Sequence, residues 1–282
     1  MPDLAEPSPV HFRKSRPEEQ TDEQGMFPTG RHCYDSGMPT LHIHLLPSLL
    51  NSSELSESVC VIIDVLRASS TMIHALGQGA QGVIPCLNVE DAHAAAQNFP
   101  AGTCLFGGER HGQLIPGFDL DNSPLSYAPE TVKDKTIVFT TTNGTRALWE
   151  CRSAWRIVIG AFVNQTALIQ QLEQMERDVH LVCAGTDGRL TAEDILFAGA
   201  VATQLQARRP GFWTPGGVQT ALASDFYQMR STSPEQFRQV FFESAGAVNL
   251  QELGMTADIE RCLERDLFDC VPVWDAATGL LT

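Results

Sequence analysis

Val59 to Ser70 reads VCVIIDVLRASS, an apolar run that stops at an acid, an arginine and hydroxyls. Its first five residues, Val59 to Ile63, are nearly all β-branched and continuous in their apolarity. That composition suits a strand covered on both faces, as in a parallel sheet. Asp64 follows at the carboxyl end of the strand, and open α/β sheets bind ligands in the crevice beyond such ends. Arg67 and the Ser69, Ser70, Thr71 run at a helix start add anion-binding groups. The stretch predicts a buried strand delivering a site residue, with a plain turn cap as the other role open to Asp64.

Outward from this strand, apolar runs and amphipathic segments alternate. A helix is expected from Ser69 to Gln78, then the strand GVIPCLN, a helix from Glu90 to Asn98 and the strand TCLFGG. The long loop GGERHGQLIPGFDLDNSP leads to the strand TIVFTTT, a helix opening at Gly144 and the strand RIVIGAFV. A helix from Gln165 to Glu176, the strand VHLVCAG and a long helix from Thr191 to Ala207 follow, then a mainly helical stretch and a final strand CVPVW. The order predicts an α/β fold, a three-layer α/β/α arrangement with a largely parallel sheet and room for a bilobed form. Upstream, LHIHLLP alternates and puts His42 and His44 on one strand face, as metal ligands or as a half-exposed surface. Residues 1–37 are rich in Pro, Glu, Asp, Ser and Gln without periodicity, which predicts a disordered tail ahead of a folded domain over 38–282.

The formal charge of -15, with 19 Lys and Arg, argues against a nucleic-acid binder. It also requires any phosphate site to rest on local arginines or a metal ion. The eight cysteines show neither a CxxC pair nor a zinc spacing, as expected of a reduced cytoplasm. No apolar run approaches the roughly 20 residues that span a bilayer, and the N-terminus lacks the apolar core of a secretory signal. A soluble, cytoplasmic protein without a membrane partner is expected.

Two signatures point elsewhere. Gly77, Gly79 and Gly82 spell GxGxxG, but the glycines follow a helix and precede a strand, the reverse of a dinucleotide-binding turn. Cys104 and Arg110 have the C-x5-R spacing of cysteine phosphatases, in which loop amides and the arginine cradle phosphate around a thiolate. Glu109 would put a carboxylate in that cradle, and Cys104 falls inside an apolar run, so a structural cysteine is the stronger reading.

What remains is four segments with polar groups at strand carboxyl ends. The first holds Asp64, Arg67, Ser69, Ser70 and Thr71, and the second holds Glu109, Arg110, His111, Asp119, Asp121 and Asn122 in a long Gly-containing loop. The third is Thr140 to Ala147, TTTNGTRA, where free amides at a helix start and Arg146 suit an oxyanion. The fourth, CAGTDGRLTAED, brings Asp187, Arg189, Glu193 and Asp194. Neighbours on a helix differ by about 100°, so one of Glu193 and Asp194 is expected to face solvent or cap. Anion-binding elements beside several carboxylates suggest an anionic substrate and a hard divalent cation, most naturally Mg²⁺.

DVLRASST, GERHGQLIPGFDLDNSP, TTTNGTRA and CAGTDGRLTAEDILFAGA resemble, in order, the signature blocks of the 2-phosphosulfolactate phosphatase family, over roughly Pro39 to Pro272. The resemblance implies a Mg²⁺-dependent catalytic domain that hydrolyses 2-phospho-3-sulfolactate to sulfolactate and phosphate, a step of coenzyme M biosynthesis where that pathway exists. It also implies related 2-hydroxy acid phosphates as substrates and a homodimer. On this reading Mg²⁺ falls to a subset of Asp64, Glu109 and Asp194, with Asp187 a weaker candidate. Asp64, Glu109 and Arg110 are the catalytic candidates. Arg67, Ser69, Thr141, Thr142, Asn143, Gly144, Thr145 and Arg146 are the substrate-binding candidates, and His111 is placed to protonate the leaving alkoxide. Attack by water and attack by Asp64 both fit. A haloacid dehalogenase mechanism fails, because Leu66 stands where its second acid is needed. The alternatives are a non-catalytic binder of anionic metabolites and a cysteine phosphatase using Cys104 and Arg110.

Overall fold

The computed structural model describes residues 37–282, so the tail expected over 1–37 lies, but for its last residue, outside the described residues. The strands are β1 (Thr40–His44), β2 (Val59–Ile63), β3 (Gly82–Pro85), β4 (Cys104–Arg110), β5 (Gln113–Leu114), β6 (Thr136–Thr140), β7 (Arg156–Gly160), β8 (Val179–Cys183), β9 (Thr214–Pro215) and β10 (Val273–Trp274). The helices are α1 (Ala68–Gly77), α2 (Val89–Ala96), α3 (Pro129–Val132), α4 (Gly144–Glu150), α5 (Gln165–Met175), α6 (Ala192–Arg208), α7 (Val218–Arg230), α8 (Pro234–Phe242), α9 (Ala245–Glu252) and α10 (Thr256–Leu263). The boundaries read from periodicity fall within a few residues of these.

The strands form two sheets. One has the order β10-β7-β2-β8-β1-β9, all parallel except the β10–β7 pair, and the other has β3-β6-β4-β5, antiparallel at β4–β5. This is the three-layer α/β/α class, with the parallel strands divided between two sheets. Leu281 bridges Val83 of β3 and Trp274 of β10, so the end of the chain stitches the sheets together. Every residue of β2 is buried, as expected of a strand covered on both faces.

Alternation along β2 assigns its side chains to two cores. Val59, Val61 and Ile63 join Leu168, Phe197, Phe241 and Ile259, under the layer of α5, α6, α8 and α10. Cys60 and Ile62 join Met72, Ile73 and Leu148 of α1 and α4, together with Ile137 and Phe139 of β6. The second core therefore lies between the two sheets. This geometry brings the carboxyl ends of β2 and β8 in one sheet to face those of β4 and β6 in the other.

Gly108 is required where β4 meets β6. Its φ is 140°, and a Cβ there would lie 2.0 Å from the Thr140 carbonyl oxygen. Cys104 and Arg110 are the first and last residues of β4. Six extended steps separate them by about 20 Å, whereas a phosphate cradle needs both around one ion. The cysteine-phosphatase alternative is therefore corrected: the C-x5-R spacing marks a straight strand.

Candidate active site

Between the two sets of strand ends lies a cavity of about 290 Å³, the size of a small-molecule site. All four polar segments reach it: Asp64 and Arg67 after β2, Glu109, His111, Gly112 and Asn122 from β4 and its loop, Thr142 and Asn143 after β6, and Thr186 and Asp187 after β8. Leu66 completes this side, and Gly246, Asn249 and Leu250 of α9 form a wall that the sequence did not reveal.

Asp64 is held by the turn that follows it. Its Oδ1 accepts a hydrogen bond from Ala68 N at 3.3 Å, its carbonyl accepts from Ser69 N at 2.8 Å, and its own amide donates to Ser69 Oγ at 2.9 Å. Ser69 thus shapes the turn and is fully buried beneath the cavity. Gly144 admits the acid: a Cβ there would lie 2.7 Å from Asp64 Oδ2. Burial pushes the Asp64 carboxyl well above its ordinary range, and the nearby Asp194 and Glu109 push the same way.

Glu109 clamps two loops. Its Oε1 accepts from Thr142 N at 2.9 Å and its Oε2 from Gly112 N at 2.7 Å. Arg110 lies outside the cavity lining, donating to the Glu109 carbonyl and to Thr140 Oγ1. Asn143 Oδ1 accepts from Asp187 N at 3.1 Å, which joins the β6 turn to the β8 turn. Thr141 and Thr145 bond each other within their own turn. Buried oxygens without a protein partner remain at Thr142 Oγ1 and Asn122 Oδ1.

Arg67 reaches the cavity wall, but its charge is already matched. Nη1 donates to Asp258 Oδ2 at 2.5 Å and Nη2 to the Gly112 carbonyl at 3.0 Å, with the ion-pair side chains 2% and 5% exposed. Ser123 Oγ donates to the other Asp258 oxygen. Arg67, expected as a substrate-binding residue, thus forms a buried ion pair that ties the β2 turn to α10. Arg146 is exposed and lines a second cavity of about 310 Å³, with Leu46, Leu50 and Glu150. Asn143 lines both cavities.

Of the two roles expected for one of Glu193 and Asp194, facing solvent is corrected, since they are 1% and 2% exposed, and capping stays open. In the first turn of α6 the partly exposed positions are Ala192 and Ile195, and the roughly 100° between neighbours sends Glu193 and Asp194 to different buried surroundings. Asp194 lies behind the cavity, its oxygens accepting from Val65 N at 2.9 Å and Gly185 N at 3.0 Å, and so couples the β2 and β8 ends. Burial raises its carboxyl to about 6 against those amide bonds. Burial first, and Asp194 second, raise Glu193 to about 8, and its Oε2 has no partner.

Among the described residues no three His, Cys, Asp or Glu gather closely enough to cage a metal ion. A Mg²⁺ site needs less, because one or two carboxylates suffice when neutral oxygens, waters and substrate phosphate complete the shell. Asp64 and Glu109 on the cavity wall, with Asn122 also in the lining, fit such a hard, oxygen-rich donor set.

Carboxylates, amides and hydroxyls converging on a small cavity at parallel strand ends belong to the class of α/β enzymes that act on small polar substrates. Comparison with known proteins narrows the class. The model of the 2-phosphosulpholactate phosphatase family matches residues 44–277. A probable 2-phosphosulfolactate phosphatase of Caldanaerobacter subterraneus is 40% identical over 223 residues, 79% of this chain and 90% of the relative. One of Thermotoga petrophila is 41% identical over 212 residues, 75% and 87% of the two chains. The chain belongs to the 2-phosphosulpholactate phosphatase family, a family of phosphoric monoester hydrolases. The non-catalytic binder gives way to an enzyme.

Proposed function

We propose that this protein hydrolyses 2-phospho-3-sulfolactate, and related 2-hydroxy acid phosphates, to the free hydroxy acid and phosphate with the help of Mg²⁺. One observation carries the reading: the cavity holds Asp64, Glu109 and Asp187 against Arg67, and Arg67 is neutralised by Asp258. A cavity with that balance repels a phosphate ester unless a cation enters with it. Asp64 and Glu109 would hold Mg²⁺, which would supply charge neutralisation for the phosphoryl group. Asp194 does its work behind them, keeping the β2 and β8 ends in register.

The chain's own groups supply the rest. Asp64 would take a proton from the attacking water, or attack phosphorus itself. The turn at Thr142 and Asn143 would donate to phosphoryl oxygens as charge develops on them. His111 at the exposed rim hands a proton to the alkoxide as the ester P–O bond breaks. Released sulfolactate is the expected product where a coenzyme M pathway exists.

Seven cysteines among the described residues are free, in keeping with residence in the cytoplasm. The exposed Val218, Leu222 and Met229 on α7 suit a homodimer. Among the described residues no helix is long and apolar enough to cross a membrane. The test is phosphate release from 2-phospho-3-sulfolactate and 2-phospholactate, with Mg²⁺ and after chelation. Release that needs Mg²⁺ and is fastest on the sulfonate ester is expected. Absence of release from either ester by folded protein would overturn the reading.

A further inference from the structure

The wall formed by α9 is seated by a side chain that lies outside the cavity. Glu193, 1% exposed, meets the amino end of α9 at Gly246. A Cβ at Gly246 would lie 2.8 Å from Glu193 Oε1 and 3.4 Å from Leu66 Cβ. Only the missing side chain of Gly246 lets α9 come this close. On its other side α9 abuts the β4 loop, where a Cβ at Gly112 would lie 2.7 Å from Leu253 Cδ1 and 3.1 Å from Asn249 Nδ2. Gly246, Asn249 and Leu250 are spaced i, i+3, i+4 and so share the face that lines the cavity.

An acid is a costly way to fill this position. One oxygen of Glu193 has no partner, and an apolar side chain of similar volume would avoid burying it. Its shape and reach against α9 give it a use that packing alone would not. We infer that Glu193 is a positioning residue: pressed against Gly246, it fixes the depth of α9, so that Asn249 reads the end of the substrate remote from the phosphate. That end would be a sulfonate or carboxylate, met by an amide donor because the arginine at the wall is paired. The inference rests on the phosphatase reading above.

The test uses the full chain with Mg²⁺ and compares wild type with Glu193→Asp, Gly246→Ala, the double variant and Asn249→Ala, on 2-phospho-3-sulfolactate and 2-phospholactate. Glu193→Asp withdraws the carboxylate by one methylene, and Gly246→Ala pushes against it. Each is expected to raise KM for the sulfonate ester about tenfold, with kcat within about twofold and a smaller change on phospholactate. In the double variant the shortened acid makes room for the new methyl, and KM returns to within about threefold of wild type. Asn249→Ala gives the same loss of preference without rescue. Losses that simply multiply in the double variant, or that fall on kcat alone, overturn the inference. Wild type inactive on both esters would instead sink the phosphatase reading. Crystal structures then still decide the seating, with α9 displaced in Gly246→Ala and returned in the double variant if it is right, and unmoved in both if it is wrong.

Discussion

Asp64 was legible from sequence because an apolar strand must end where the chain leaves the core, and a polar group at that point is in reach of a ligand. The ion pair of Arg67, three residues on, was hidden for an equally physical reason: its partner Asp258 is 191 residues away, and sequence spacing says nothing of such a pairing. A buried ion pair behaves differently from a substrate-binding arginine. Arg67→Ala strands Asp258 without its cation and is expected to cost about 3–5 kcal/mol in urea unfolding. An Arg67→Met, Asp258→Leu double variant should recover much of that loss. An Arg67→Ala protein of unchanged stability, with only a raised KM, would restore the substrate-binding role. The burial of both Glu193 and Asp194 was likewise hidden, since periodicity sets acids on the wet side of a helix and in the first turn of α6 that side is held by Ala192 and Ile195.

Strands and helices were the most legible level, because Val59–Ile63, Thr136–Thr140 and Val179–Cys183 are rich in β-branched and apolar residues and every residue in them is buried. The same level disposes of the thiol chemistry. Since β4 keeps Cys104 and Arg110 at opposite ends, Cys104→Ser is expected to retain kcat within about twofold. A loss of turnover beyond a hundredfold would reopen that mechanism. The helix α9 gave no signal, as a Gly and an Asn on a short helix carry no pattern that separates a cavity wall from a surface.

The alternating LHIH strand concealed a third histidine: His180 of β8 is in register with His42 of β1, and its Nδ1 lies 2.9 Å from His44 Nε2. Burial, and then the neighbouring imidazoles, lower His44 to about 4 and His180 to about 3, from an ordinary 6.5. With folded values below the unfolded one, their contribution to stability is complete above pH 6.5 and is lost progressively as pH falls from 6.5 to about 4 for His44 and about 3 for His180. Urea midpoints should therefore drop over this range, and less steeply in a His44→Gln, His180→Gln variant. Equal slopes in the two proteins would show that the pair does not titrate as described.

At the scale of the whole molecule, the alternating order of elements read correctly as a layered α/β fold. The division into two sheets did not, because strand order within a sheet depends on long-range pairing that periodicity leaves open. That division creates the site, since the cavity opens where the ends of β2 and β8 face those of β4 and β6. The net charge of -15 is repeated locally, in a cavity whose acids outnumber its unpaired cations. The central claim is that this cavity admits a phosphate only together with a divalent cation held by Asp64 and Glu109. Calorimetric titration with inorganic phosphate, the reaction product, tests it most directly. Binding is predicted with Mg²⁺ present, and loss of binding after chelation and in Asp64→Asn. Phosphate that binds equally well without the cation, or to the variant, would contradict the account.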